Sequence, residues 1–153
     1  MNAIELLVQD HEKLKKLLEQ ITSTTDRAAK TRADVLSQIE AEVLSHTQIE
    51  EKIFYPAYRD ASDKEGVKMY YEAVEEHRAV SEMVLPDLLK TKPDSVQFSG
   101  RIKVLKELLE HHMDEEESEM FPEARKVLKA EELTRLGQEM EAMKKTIKAE
   151  MKK

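Results

Sequence analysis

The sequence predicts an all-α protein: an antiparallel four-helix bundle with an additional C-terminal helix. Three observations point there. Strong helix formers (Glu, Lys, Leu, Ala and Met) dominate, and only 3 Gly and 4 Pro punctuate 153 residues, too few for a turn-rich fold. Apolar residues recur at 3,4 spacing through five segments joined by short polar connections, which makes successive helices antiparallel neighbours. The second pair of helices also repeats the first pair, His77 standing 66 positions after His11. At this length one domain can bury a real core.

The first helix is expected from about Asn2 to Ile21, with Ile4, Leu7, Leu14, Leu18 and Ile21 on one face, and the Thr22–Asp26 polar cluster ends it. The second runs from about Ala28 to Arg59, with Leu36, Ile39, Val43 and Ile53 facing inward. Ser62 or Asp63 then caps the next helix. The third covers Lys64 to Thr91, and Pro86 inside it should kink it or end it early. After the Lys92–Ser95 loop, the fourth runs from Val96 to Lys129, with Ile102, Leu105 and Leu109 inward. The fifth starts near Ala130 and carries Leu133, Leu136, Met140, Met143 and Ile147. Residues 1–128 thus form the bundle and 129–153 an accessory helix. That helix is expected to cover its own bundle, with pairing in a homodimer as the alternative.

Each of the four main stripes is apolar except at one place. Reading at 3,4 spacing, His11 interrupts the first, His46 and Glu50 the second, His77 the third, and His112 and Glu116 the fourth. At about 1.5 Å per residue, His46 and His77 both lie roughly 20 Å from the turn between their helices, so the interruptions meet at mid-height. The repeat carries His11 to His77, His46 to His112, Glu50 to Glu116 and Pro56 to Pro122. It also carries Asp10 to Glu76. Four buried imidazoles and two buried carboxylates at one level would cost several kcal/mol each if left unpaired, enough to unfold a bundle of ordinary stability. A metal removes that cost, because it binds neutral imidazole and carboxylate directly. Six ligands exceed the needs of one first-row ion. They suffice for two ions, each with two His, if both Glu bridge and an oxygen-derived bridge is added. Nitrogen and oxygen donors without thiolate suit iron, manganese or zinc.

Composition narrows the partners. A net charge of −7 repels phosphate backbones, so no nucleic acid is expected. With no Cys, disulfides, Fe–S clusters and thiol catalysis are excluded, and a cytoplasmic location is compatible. No segment approaches the roughly 20 apolar residues of a membrane span. Among the remaining polar residues, His111 is expected at the surface or supporting a ligand. Glu51 and Glu117 are expected mainly in solvent, with the same supporting role as the alternative. Phe54, Tyr70 and Phe121 are expected in the core.

The order His11, His46-Thr-Gln-Ile-Glu50 with Phe54-Tyr55-Pro56, His77, His112-Met-Asp-Glu-Glu116 with Phe121-Pro122 resembles the hemerythrin-like family of HHE cation-binding domains, over about residues 2–128. The resemblance implies an up-down-up-down bundle around a non-haem di-iron centre, with His11, His46, Glu50, His77, His112 and Glu116 as metal ligands. The family's oxygen carriers use five His, whereas Ser81 and Ala73 stand at the positions flanking His77 at that spacing. The resemblance therefore implies binding of dioxygen, nitric oxide or iron for sensing, storage or handling rather than plain oxygen transport. Its enzymatic alternative is a di-iron centre acting on peroxide or ferrous iron.

Overall fold

The structure, a computed structural model, describes residues 1–153 and is helical throughout, without strands. Five helices follow in chain order: α1 (Ala3–Thr22), α2 (29–61), α3 (64–89), α4 (96–127) and α5 (Ala130–Met151). Helix α1 lies beside α2 and α4, α2 beside α3, and α3 beside α4, giving the up-down-up-down bundle. The caps follow local chemistry. Asn2 accepts from the Glu5 N–H at 2.8 Å while Glu5 accepts from the Asn2 N–H at 3.0 Å. Asp63 caps α3 through the Gly66 N–H, and Ser95 caps α4 through the Phe98 N–H. Arg32, only 1% exposed, ties two connections together by donating to Thr24, Pro93 and Ser99.

Helices α2, α3 and α4 each contain one π-helical stretch: Glu50–Phe54, Ala79–Val84 and Glu116–Met120. Each immediately precedes a proline-bearing turn, at Pro56, Pro86 and Pro122. Proline lacks an N–H, and its ring collides with the carbonyl four residues back. A wider π turn relieves both problems. Pro86 accordingly does not end α3, which continues to Leu89. The extra residue also moves the buried face along the helix. Phe54 is fully buried while Ile53, the expected inward residue, is only partly so, and Leu85 is buried while the preceding Val84 is only partly so.

The apolar core is in two parts. One cluster gathers Leu7, Ile49, Phe54, Tyr58, Ala73, Met120 and Phe121; the other gathers Leu14, Leu18, Ile39, Val43, Val80, Ile102 and Leu109. Between them, on every main helix, sits the polar layer. Helix α5 packs across α1 and α2 with Leu133, Leu136, Met140 and Ile147 buried, so its apolar face is covered within its own chain. Gly137 permits this approach, since a Cβ there would lie 2.7 Å from Asn2 C and 2.8 Å from Ala3 N. No helix is long and apolar enough to cross a membrane.

Candidate metal centre

All six expected residues are buried, none more than 6% exposed, and they converge at the waist of the bundle. They form two groups of ligand atoms. One comprises His11, His46, Glu50 and Glu116; the other comprises Glu50, His77 and His112. Glu50 belongs to both. Its Oε1 lies 3.1 Å from His46 Nε2 and 3.1 Å from His77 Nε2. Glu116 Oε1 lies 3.1 Å from His11 Nε2 and 3.5 Å from His112 Nε2. Each carboxylate therefore stands between an imidazole of one helix hairpin and an imidazole of the other. The remaining close pair is His77 Nε2 and His112 Nε2, at 3.0 Å.

Every imidazole turns its Nε2 inward and gives its Nδ1 to a carboxylate. His46 Nδ1 lies 2.9 Å from Asp10, and His112 Nδ1 lies 2.7 Å from Glu76. His77 Nδ1 lies 2.9 Å from Glu51, and His11 Nδ1 lies 2.7 Å from Glu117. A carboxylate on Nδ1 fixes the tautomer with a lone pair on Nε2, the arrangement that metal-binding imidazoles adopt. The four anchors obey the 66-residue offset, Asp10 with Glu76 and Glu51 with Glu117. Glu51 and Glu117, expected mainly in solvent, keep about a third of their side chains exposed but hold His77 and His11. Their adjacency to the inward Glu in both halves was the available signal.

Tyr55 is the residue that sequence reasoning placed in a motif without giving it a task. Its hydroxyl donates to Glu116 Oε2 at 2.7 Å and lies 3.3 Å from Glu50 Oε1, His77 Nε2 and His112 Nε2. The ring stacks on His77, with centroids 5.3 Å apart, just as Phe121 stacks on His11 at 5.8 Å. The π turn after Glu50 swings Tyr55 inward, and a regular helical wheel hides that.

The electrostatics fit a cation site. The His46 imidazole is pushed up to about 10: burial opposes its charge, but the Glu50 and Asp10 carboxylates outweigh burial. His112 is raised well above its ordinary value in the same way, and His77 is raised too. Glu50 is held well below the usual carboxylate range by its imidazole neighbours despite its burial. Burial, together with Glu116 and Glu50, pushes the Tyr55 phenol well up, so it stays protonated. The protein thus stabilises positive charge at this level. Two buried atoms, His46 Nε2 and Glu50 Oε2, have no hydrogen-bond partner. Separations of 3.0–3.1 Å between ligand atoms match adjacent ligands on one ion with bonds of about 2.1 Å. Donor set, spacing and orphaned atoms all suit metal ions. Seen alone, His111 is 64% exposed in its side chain and takes no part in the buried groups, as expected.

Comparison with known proteins finds relatives in sequence and in fold. The family profile described as Hemerythrin HHE cation binding domain matches residues 2–124, leaving α5 beyond the match. An uncharacterised hemerythrin-like protein of Schizosaccharomyces pombe is 30% identical over 143 residues, spanning 94% of this chain and 69% of that protein. A protein of Nostoc sp. named DNA nickase is 23% identical over 147 residues, 96% of this chain but only 40% of its own length. Among solved structures, a hemerythrin HHE cation-binding domain-containing protein of Mycobacterium kansasii superposes with a TM-score of 0.84 at 29% identity. That match covers 98% of this chain and 89% of that one.

Proposed function

The chain belongs to the hemerythrin HHE cation-binding domain family, and from that premise we propose that it is a non-haem di-iron protein that binds dioxygen, nitric oxide or iron for sensing, storage or handling. His11 and His46 would hold one ion, His77 and His112 the other, with Glu50 and Glu116 shared between them. Two irons would supply redox chemistry and coordination positions for a small ligand; manganese or zinc would fit the same donors. The observation that carries the proposal is the shared Glu50, which joins two groups of imidazoles into one centre. The chain's own residues do the rest. Asp10, Glu51, Glu76 and Glu117 fix the imidazoles, and the two apolar clusters above and below exclude water.

Iron counted per chain in freshly purified protein tests this. Two irons per chain are expected, with a new absorption band when dioxygen or nitric oxide meets the reduced protein. Protein that purifies without metal and takes up none would overturn it.

The Tyr55 hydroxyl favours a second reading, an enzyme acting on peroxide or ferrous iron. It is a hydroxyl donor inside the centre, placed to give a hydrogen bond to a bound small molecule. Oxygen evolution from peroxide faster than that of free iron, and reduced in Tyr55→Phe at unchanged iron content, would support the enzyme. The nickase activity named for the Nostoc protein is not carried over, since this chain spans 40% of it and has a net charge of −7.

A further inference from the structure

The two halves of the bundle offer two pseudo-equivalent approaches to the centre, and they differ. At the 66-residue offset, Asp10 corresponds to Glu76, Ser45 to His111 and Ile49 to Glu115. On the first side, Ser45 and Ile49 are both fully buried, and α5 lays Lys144 onto Asp10. On the second side no fifth helix lies over the surface. There His111 is 64% exposed, and Glu76 and Glu115 are partly exposed.

These three open residues form a third group whose ligand atoms lie within 4.8 Å of one another. His111 and Glu115 share one face of α4 at i,i+4, with His111 Nε2 2.9 Å from Glu115 Oε1. Across from them on α3, Glu76 Oε2 lies 3.8 Å from His111 Nε2. The same Glu76 carboxylate reaches inward with its other oxygen, 2.7 Å from His112 Nδ1. A cavity of about 10 Å³, room for about one water molecule, is lined by Glu76 and Glu115 of this group together with the buried His112 and Glu116. Exposed Glu72 and Glu119 add negative charge beside it.

We infer that Glu76, His111 and Glu115 form an exposed divalent-cation site on the α3–α4 face that feeds ions to the buried centre, a proposal that rests on the di-metal reading for its destination but not for its surface site. One imidazole nitrogen and two carboxylate oxygens suit a first-row transition cation. The surrounding carboxylates raise the local cation concentration at the mouth. On the opposite approach α5 sets Lys144 against Asp10, where a fixed positive charge disfavours an arriving cation.

Two measurements on the full chain test it. First, with two equivalents of Zn²⁺ already present to fill buried sites, added Mn²⁺ broadens the His111 ring resonances before those of His11 and His46, and Glu115→Gln abolishes this. Second, ferrous ion uptake by metal-free protein slows by roughly tenfold in His111→Ala with Glu115→Gln, within the range expected for electrostatic focusing, while the final iron count is unchanged. Glu76 is left intact because it holds His112. Equal uptake rates, or no early broadening at His111, overturn the inference. If the wild type takes up no iron, the di-metal reading fails, and the broadening at His111 alone decides the surface site.

Discussion

Tyr55 has no polar counterpart at the 66-residue offset; Phe121 stands in its place and stacks on its own histidine in the same way. The hydroxyl therefore makes an otherwise two-fold centre unsymmetrical. Replacing Tyr55 with Phe removes the donor to Glu116 Oε2 and keeps the ring. A buried acceptor stripped of its partner costs about 1–3 kcal/mol. Tyr55→Phe is thus expected to lower the unfolding free energy of metal-free protein by that amount, read as a lower denaturant midpoint, while leaving two ions bound per chain. An unchanged midpoint would show that the hydroxyl does not support Glu116. The anchoring carboxylates make a second prediction. Glu51→Gln and Glu117→Gln keep the shape but weaken the hold on His77 and His11, and metal affinity in a competitive chelator titration should fall about 10–100-fold. Both residues show where legibility stopped. The inward imidazoles and carboxylates stood out as polar breaks in apolar stripes. Their anchors sit one position off the stripe, where a helical wheel puts solvent, and only the folded neighbours reveal that the side chains curl back.

Among the helices, α5 lies outside the family match and is held to the bundle partly by charge. Glu42, 2% exposed, receives Lys13 at 2.6 Å, Lys144 at 3.4 Å and Lys148. Burial alone would raise the Glu42 carboxyl, but Lys13 and Lys148 hold it below its ordinary value of 4.5. A carboxyl depressed by folding stabilises the fold above its unfolded value, and that contribution disappears as pH falls through the lower folded value. Amides of 130–151 should therefore keep their hydrogen-exchange protection at neutral pH and lose it ahead of α1 once the pH drops below about 4.5. Glu42→Gln should show the same early opening at neutral pH. Gly137 adds a steric test of this docking. In an open helix Ala is better than Gly by up to about 1 kcal/mol. Here the new Cβ meets backbone atoms of Met1, Asn2 and Ala3, which cannot rotate away. Gly137→Ala should lower the melting temperature, and a rise would show that the N-terminus is not seated against α5. The apolar stripe of this helix was readable from spacing alone; its choice of α1 and α2 was not. That choice depends on lysines meeting carboxylates far away in sequence.

For the whole molecule, the decisive feature is a core cut in two. The bundle, its helix limits and the level of the polar layer were legible because burial imposes a 3,4 rhythm, and any break in that rhythm is conspicuous. The π turns were not, because three prolines announce a disturbance without saying whether the helix stops or widens. Widening keeps α2, α3 and α4 continuous through the layer, so both apolar clusters stay on the same helices. That continuity shapes the response to metal removal. Ions would supply partners for His46 Nε2 and Glu50 Oε2, which no protein hydrogen bond satisfies. With ions bound only by the folded state, stability rises by about 2.7 kcal/mol for each ion at a free concentration one hundred times its dissociation constant. A chelator should thus lower the unfolding midpoint while far-ultraviolet circular dichroism keeps its helical signature. Hydrogen exchange should quicken first around 46–50 and 112–116, at the layer itself. The flanking segments 14–18 and 102–109, packed in one apolar cluster, should hold their protection until global unfolding. If chelation instead opened those segments together with the layer, the two clusters would be one cooperative unit, and the centre would serve as the fold's nucleus rather than as an insert between two self-sufficient cores.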